Sequence, residues 1–248
     1  MLALQAEYGR EVIRWRDALA REGQTVVSAV LGGEGRVFQW RHYPVGDVYD
    51  PATRAQYFYH AHARGARTAG WQGEHGHFHA FLRVGGLKPG VRPLVMPELA
   101  IAGHPAAPLQ PTPSAPAPAG GSDEPWVHLA AIAMDRAGRP LRLFTTNRWV
   151  TGETWYAAED VAASLDRFAI GGAAVTPVGC WLTAVLGLFR PTIARLLAER
   201  DAAVMSFRRR RRGRVHVLED RRLEITSSVA VDIDGEIRRI AAALRQVA

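Results

Sequence analysis

The sequence predicts an α+β fold in which an antiparallel sheet carrying a histidine-rich hairpin packs with N-terminal and C-terminal helices. Three observations predict it. The chain opens and closes on stretches with helical spacing of apolar residues. Its middle holds short apolar and aromatic runs bounded by Gly, Pro or Asp, the pattern of strands and turns. Five of the nine histidines, His60-Ala61-His62 and His75-Gly76-His77-Phe78-His79, fall in or beside two of those runs.

Leu2 to Arg21 carries Leu4, Val12, Ile13, Trp15 and Leu19 at helical intervals, with Gly23 as the stop. Arg36 to Trp40 is a short strand, and Asp50-Pro51 begins a turn before a strand over Gln56 to His62. After a connection containing Gly65, Gly70 and Gly73, a second strand runs from His77 to Val84 and stops at Gly85-Gly86. Residues 97–125 hold eight of the fifteen prolines and form a Pro/Ala-rich flexible insertion, since proline supplies no backbone donor for a ladder. Trp126 to Met134 and Leu141 to Thr145 are strands joined by the turn Asp135 to Pro140. Helices follow over Glu159 to Phe168, Gly179 to Phe189 and, after Pro191 in a first turn, Thr192 to Val204. An extended piece from Arg222 to Val231 leads through Asp232-Ile233-Asp234 into a helix striped by Ile237, Ile240, Leu244 and Val247.

At 248 residues and 48% hydrophobic, the chain is long enough to bury a substantial core, and residues 1–248 are read as one domain. Cys180 is the sole cysteine, which excludes an internal disulfide framework and any multi-cysteine zinc or iron–sulfur site, and fits a reducing cytoplasm. The first residues lack the apolar core of a signal peptide. Phe168 to Phe189 has no charged residue and the length of a membrane span, but Gly171-Gly172, Pro177 and Gly179 break it into a buried helix. The net charge of +7 is concentrated: Arg208 to Arg212 with Arg214 supply six of the seven, in an exposed Arg-rich segment over 206–214. A solvated helix end or loop is the plain reading of that run, and contact with nucleic acid or acidic lipid is the alternative.

The stretches His128 to Asp135, Leu143 to Trp155 and Leu188-Phe189-Arg190-Pro191 resemble an uncharacterised family of bacterial proteins carrying a domain of unknown function. The resemblance implies a bacterial cytoplasmic context and brings no activity, cofactor or ligand set.

The histidines carry the chemistry. Imidazole is the commonest protein ligand for transition metals, and on a strand residues i and i+2 share a face about 6.5–7 Å apart. His60 with His62, and His77 with His79, meet that condition. An antiparallel register with His62 opposite His77 would also set His60 against His79, with Phe58 opposite Phe81 as an apolar wall. Tyr57, Tyr59, Phe78 and Leu82 would then take the other face. His60, His62, His77 and His79 are therefore the candidate metal ligands, with His75 and His128 in reserve. Parity points Glu74 away from the neighbouring imidazoles, which leaves it as a loop residue or one behind the ligands; Tyr59, Arg148 and Glu153 are further candidates behind the ligands or against a substrate. For Arg148, a surface ion pair is the plain reading.

No His-X-His followed by the glutamate of a cupin, no metallo-β-lactamase spacing and no His-Glu-X-X-His signature is present, and no two-His-one-carboxylate triad is spelled out. Imidazole-only ligation suits iron, copper, nickel or zinc; aromatic residues crowding the histidine segment and the lack of a paired acid motif favour oxygen chemistry on iron or copper, with zinc admitted. The sequence thus points to a metal-dependent oxidase or oxygenase acting on a small molecule, with no catalytic residue assigned. Its alternatives are a zinc-dependent hydrolase, a non-catalytic metal-binding or sensing protein, or a nucleic-acid binder using Arg208 to Arg212. Gly32-Gly33-Glu34-Gly35 lacks the ending of a phosphate loop and is a turn, and Cys180 is a buried thiol.

Overall fold

The computed structural model describes residues 2–33, 37–38, 41–61, 73–94, 124–211 and 216–247. His62, most of the proline-rich stretch, Arg212, Arg214 and three residues of the expected Arg36 to Trp40 strand lie outside them. Six strands form one antiparallel meander in chain order: β1 (His42–Asp50), β2 (Ala55–Ala61), β3 (Glu74–Arg83), β4 (Trp126–Asp135), β5 (Pro140–Thr146) and β6 (Ile225–Ala230). The helices are α1 (Leu2–Arg21), α2 (Val26–Val30), α3 (Arg148–Thr151), α4 (Ala158–Ser164), α5 (Pro177–Leu188), α6 (Arg190–Arg210) and α7 (Ile233–Val247).

The fold class is as the sequence predicts, and the turn chemistry explains the central hairpin. Asp135 accepts from the backbone and the guanidinium of Arg139 at 2.8 and 2.7 Å, and Gly138 takes φ +78°, so β4 reverses directly into β5. Helix starts are equally local. Thr176 accepts from the Gly179 amide ahead of Pro177 in the first turn of α5, and Thr25 and Ser28 form a capping box on α2. The helix expected over Thr192 to Val204 continues to Arg210, because arginines in a last turn suit the negative end of the helix dipole. Among the described residues no single helix is long and apolar enough to cross a membrane.

One face of the sheet is the protein core. Tyr57, Tyr59, Phe78, Ala80, Leu82, Ile132, Met134 and Leu143 pack there with Trp181, Leu182, Val185, Ile193 and Leu196 of α5 and α6. Helix α1 closes this layer through small residues: a Cβ on Gly187 would lie 2.5 Å from the Tyr8 ring, and one on Gly9 would lie 3.0 Å from Ile237. Gln5, buried, donates to the Leu188 carbonyl at 3.0 Å and satisfies the end of α5. Gly187→Val should therefore destabilise the protein by about 1–3 kcal/mol through overpacking. That is a drop of several degrees in thermal unfolding, and an unchanged melting temperature would remove the Tyr8–Gly187 contact from the account.

Two expectations are corrected. The β2–β3 register sets His60 opposite His77 and Phe58 opposite His79, two positions from the expected pairing of His62 with His77. A long connection leaves register to the core side chains, and Tyr59 against Phe78 fixes it. The first strand is β1, where the sequence pattern predicts none. Pro44, Gly46 and Asp47 read as turn residues; here Gly46 and Asp47 take φ +89° and +57° inside an irregularity between Tyr43 and Val48. An edge strand tolerates such a bulge and its proline.

Candidate functional site

The face away from the core collects the imidazoles. His42 of β1, His60 of β2, His77 and His79 of β3 and His128 of β4 form a continuous row across four strands. Successive ring centroids are 6.4, 5.5, 4.7 and 5.0 Å apart. Strand periodicity and register produce this: His42 pairs with His60 and His60 with His77, and directly opposed residues share a face. Phe58, Phe81 and Phe144 line the same row, at 5.1 Å from His79, 5.2 Å from His128 and 5.3 Å from His77 respectively. Phe58 and Phe81 meet as a diagonal pair, with centroids 5.5 Å apart.

Burial sets the charge state of the row. His77, His79 and His128 are each under a tenth exposed. Desolvation pushes His77 and His128 down to about 3, with the Arg200 guanidinium adding to the effect at His128. His79 lies well below the ordinary histidine range, from burial first and then from the neighbouring imidazoles. All three are neutral rings at pH 7, the form in which a histidine offers a lone pair to a metal.

Hydrogen bonds orient these rings. His77 Nδ1 lies 2.8 Å from Glu74 Oε1, and His42 Nδ1 lies 3.0 Å from Asp47 Oδ1. With Nδ1–H donated to a carboxylate, the lone pair of each ring belongs to Nε2, the arrangement that stands behind many metal-ligating histidines. Asp47 is itself held by Gln56 Nε2 at 2.8 Å. His79 Nδ1 and His128 Nε2 are 3.1 Å apart and share one proton between buried partners. Among the described residues, no group of three or more His, Cys, Asp or Glu side chains already surrounds a common ion position. Ligation would require imidazole rotation.

The other sequence candidates take different places. A register shift between Glu74 and Gly76 overturns the parity argument that turned Glu74 away, since the irregularity swings its carboxylate onto His77. His75, in that same irregularity, goes to the core side: its Nδ1 is 2.9 Å from the Tyr59 hydroxyl and the two rings stack. Tyr59 is thus remote from the row, and burial and nearby Glu74 raise its hydroxyl pKa. Glu153 is fully buried beside β4, accepting from the His128 amide at 2.8 Å and from Thr151 Oγ1 at 3.3 Å. Desolvation raises its carboxyl to about 7 against the opposing pull of Arg200. Arg148 is not on the surface: it is 2% exposed and ion-paired with Glu219.

One member of the row, His42, and its partner Asp47 belong to no motif in the sequence. The signal that finds them is the flanking pair Tyr43 and Val48, core residues on either side of a turn-like insertion. The profile of a family described as a domain of unknown function matches residues 6–231. No curated protein matches the chain, and no solved structure does.

Proposed function

Because the chain belongs to that family, the domain of unknown function DUF6969, we propose a function from its own residues: a His-ligated metalloprotein, an oxidase or oxygenase acting on a small molecule with dioxygen as co-substrate. His77, His79 and His128 supply the buried donors, with His60 and His42 extending the row. One observation carries this reading. His77, His79 and His128 stand side by side, buried and uncharged, with successive ring centroids 4.7 and 5.0 Å apart, close enough for rotated rings to turn their nitrogens towards one ion. Imidazole donors suit iron, copper and zinc alike, and iron or copper is favoured because aromatic rings crowd the row. Such an ion would supply the redox capacity.

The chain's residues supply the rest of the centre. Glu74 and Asp47 hold His77 and His42 in one tautomer and orientation. Phe58, Phe81 and Phe144 pack against the row and keep it dry. Titration of tag-free, metal-stripped protein with copper(II), iron(II) and zinc(II) tests the reading. Wild type should bind one ion that the His77→Ala/His79→Ala variant does not, while His75→Ala binds as wild type does. Equal binding by the double variant would sink the assignment.

A further inference from the structure

A second region stands apart from the histidine row. The last turn of α6 holds Arg208, Arg209 and Arg210, Arg211 follows, and the sequence has no acidic residue between Asp201 and Glu219. The fold adds arginines from elsewhere in the chain. Arg148, at the start of α3, reaches this end of the molecule to pair with Glu219, and Arg221 and Arg222 follow in the next turn. A small apolar cluster fastens these pieces together: Val204 and Phe207 of α6, Trp155, Val217, Leu218 and Leu223. Proximity shows in His216, whose pKa is lowered by burial first and then by Arg148 and Arg208.

The two carboxylates of the intervening turn are engaged, Glu219 by Arg148 and Asp220 by Arg222. Arg209, Arg210, Arg211, Arg221 and Arg222 are exposed. Two guanidinium groups lie over half-buried rings, Arg211 at 5.5 Å from the centroid of Phe207 and Arg221 at 5.8 Å from that of Trp149. The Trp149 indole is anchored by its bond to the Leu223 carbonyl at 2.8 Å.

We propose that this end of α6, with the turn over Val217–Glu219 and the arginines after it, is a docking surface for single-stranded nucleic acid. Guanidinium forks match phosphate oxygens in pairs, and the half-buried Trp149 ring beside Arg221 offers a plane on which a base stacks without sequence preference. A membrane surface would call for a patch of apolar side chains projecting outward, whereas at this end of α6 Met205 alone among the described large apolar residues is exposed and Phe207 packs inward against Val204 and Leu218. The surface is independent of the histidine row, so a metal-free protein retains it.

Fluorescence anisotropy of the full chain with a labelled oligothymidylate of about 20 nucleotides, from roughly 50 to 200 mM salt, tests this. Wild type should bind, more tightly as salt falls. Arg209→Ala/Arg211→Ala/Arg221→Ala should weaken binding at least tenfold near 100 mM salt and flatten the log–log salt slope by about 2, three contacts at roughly 0.7 each. Arg10→Ala/Arg14→Ala/Arg238→Ala removes the same charge from exposed positions of α1 and α7 and should bind within twofold of wild type. Absence of binding at the lowest salt overturns the proposal. So does equal weakening in both variants, which would reduce the effect to bulk charge, or capture by phosphatidylserine vesicles without capture by the oligonucleotide.

Discussion

The metal-free protein should lose stability steeply as pH falls from 6.5 towards 4. His77, His79 and His128 are neutral in the fold down to a pH far below 6.5, while in the unfolded chain they take up protons at the ordinary histidine pKa. Below pH 6.5 the unfolded state therefore binds more protons, and the stability present above that value is lost as pH falls through the window. Each imidazole contributes up to about 1.4 kcal/mol per pH unit. Glu153 acts in the opposite sense: raised to about 7 in the fold, it binds a proton on folding between its ordinary range and 7, and so adds stability towards acid that is lost as pH rises through that window. Three protons against one leave a net slope of about two, or roughly 2.7 kcal/mol per pH unit. Chemical denaturation across this range measures it, and a flat profile between pH 6.5 and 5 would contradict the burial of three neutral rings.

Replacing the hydrogen-bonded pair by rings of similar shape should separate stability from function. His79→Phe/His128→Phe removes two groups that the fold holds uncharged on a face already lined by Phe58, Phe81 and Phe144. Exchanging both partners of a buried hydrogen bond for apolar groups is near neutral or stabilising. At pH 7.5 the variant should match or slightly exceed wild type. At pH 5 it should be more stable by about 4 kcal/mol, two groups each displaced by some 1.5 pH units from their unfolded titration. It should bind no metal. A variant destabilised at both pH values would show that the pair is built for packing rather than retained for its nitrogen atoms.

Local chemistry made much of this fold legible. Helix α1 begins and ends where its apolar spacing and Gly23 put it, and the β4–β5 hairpin follows from Asp135 and Gly138. Period-two alternation correctly divided Tyr57, Tyr59 and Phe78 from Phe58, His77 and His79. What alternation does not supply is register across a long connection, so the imidazoles pair two positions away from the expected partners. Irregular strands hid the rest. A bulge at Glu74 reverses the parity that turned its carboxylate away, and positive φ at Gly46 and Asp47 disguises β1 as a loop, concealing His42. These irregular positions hold the carboxylates that orient His77 and His42, where strand regularity gives way to the needs of a site.

The central claim is that the buried imidazoles are metal ligands. Elemental analysis of protein purified without a histidine tag, under anaerobic conditions and without chelator, tests it most directly. The account predicts close to one iron or copper ion per chain in wild type, with loss of that metal in His79→Phe/His128→Phe. A wild-type protein carrying no transition metal above the buffer blank, and gaining none on incubation with either ion, would contradict it.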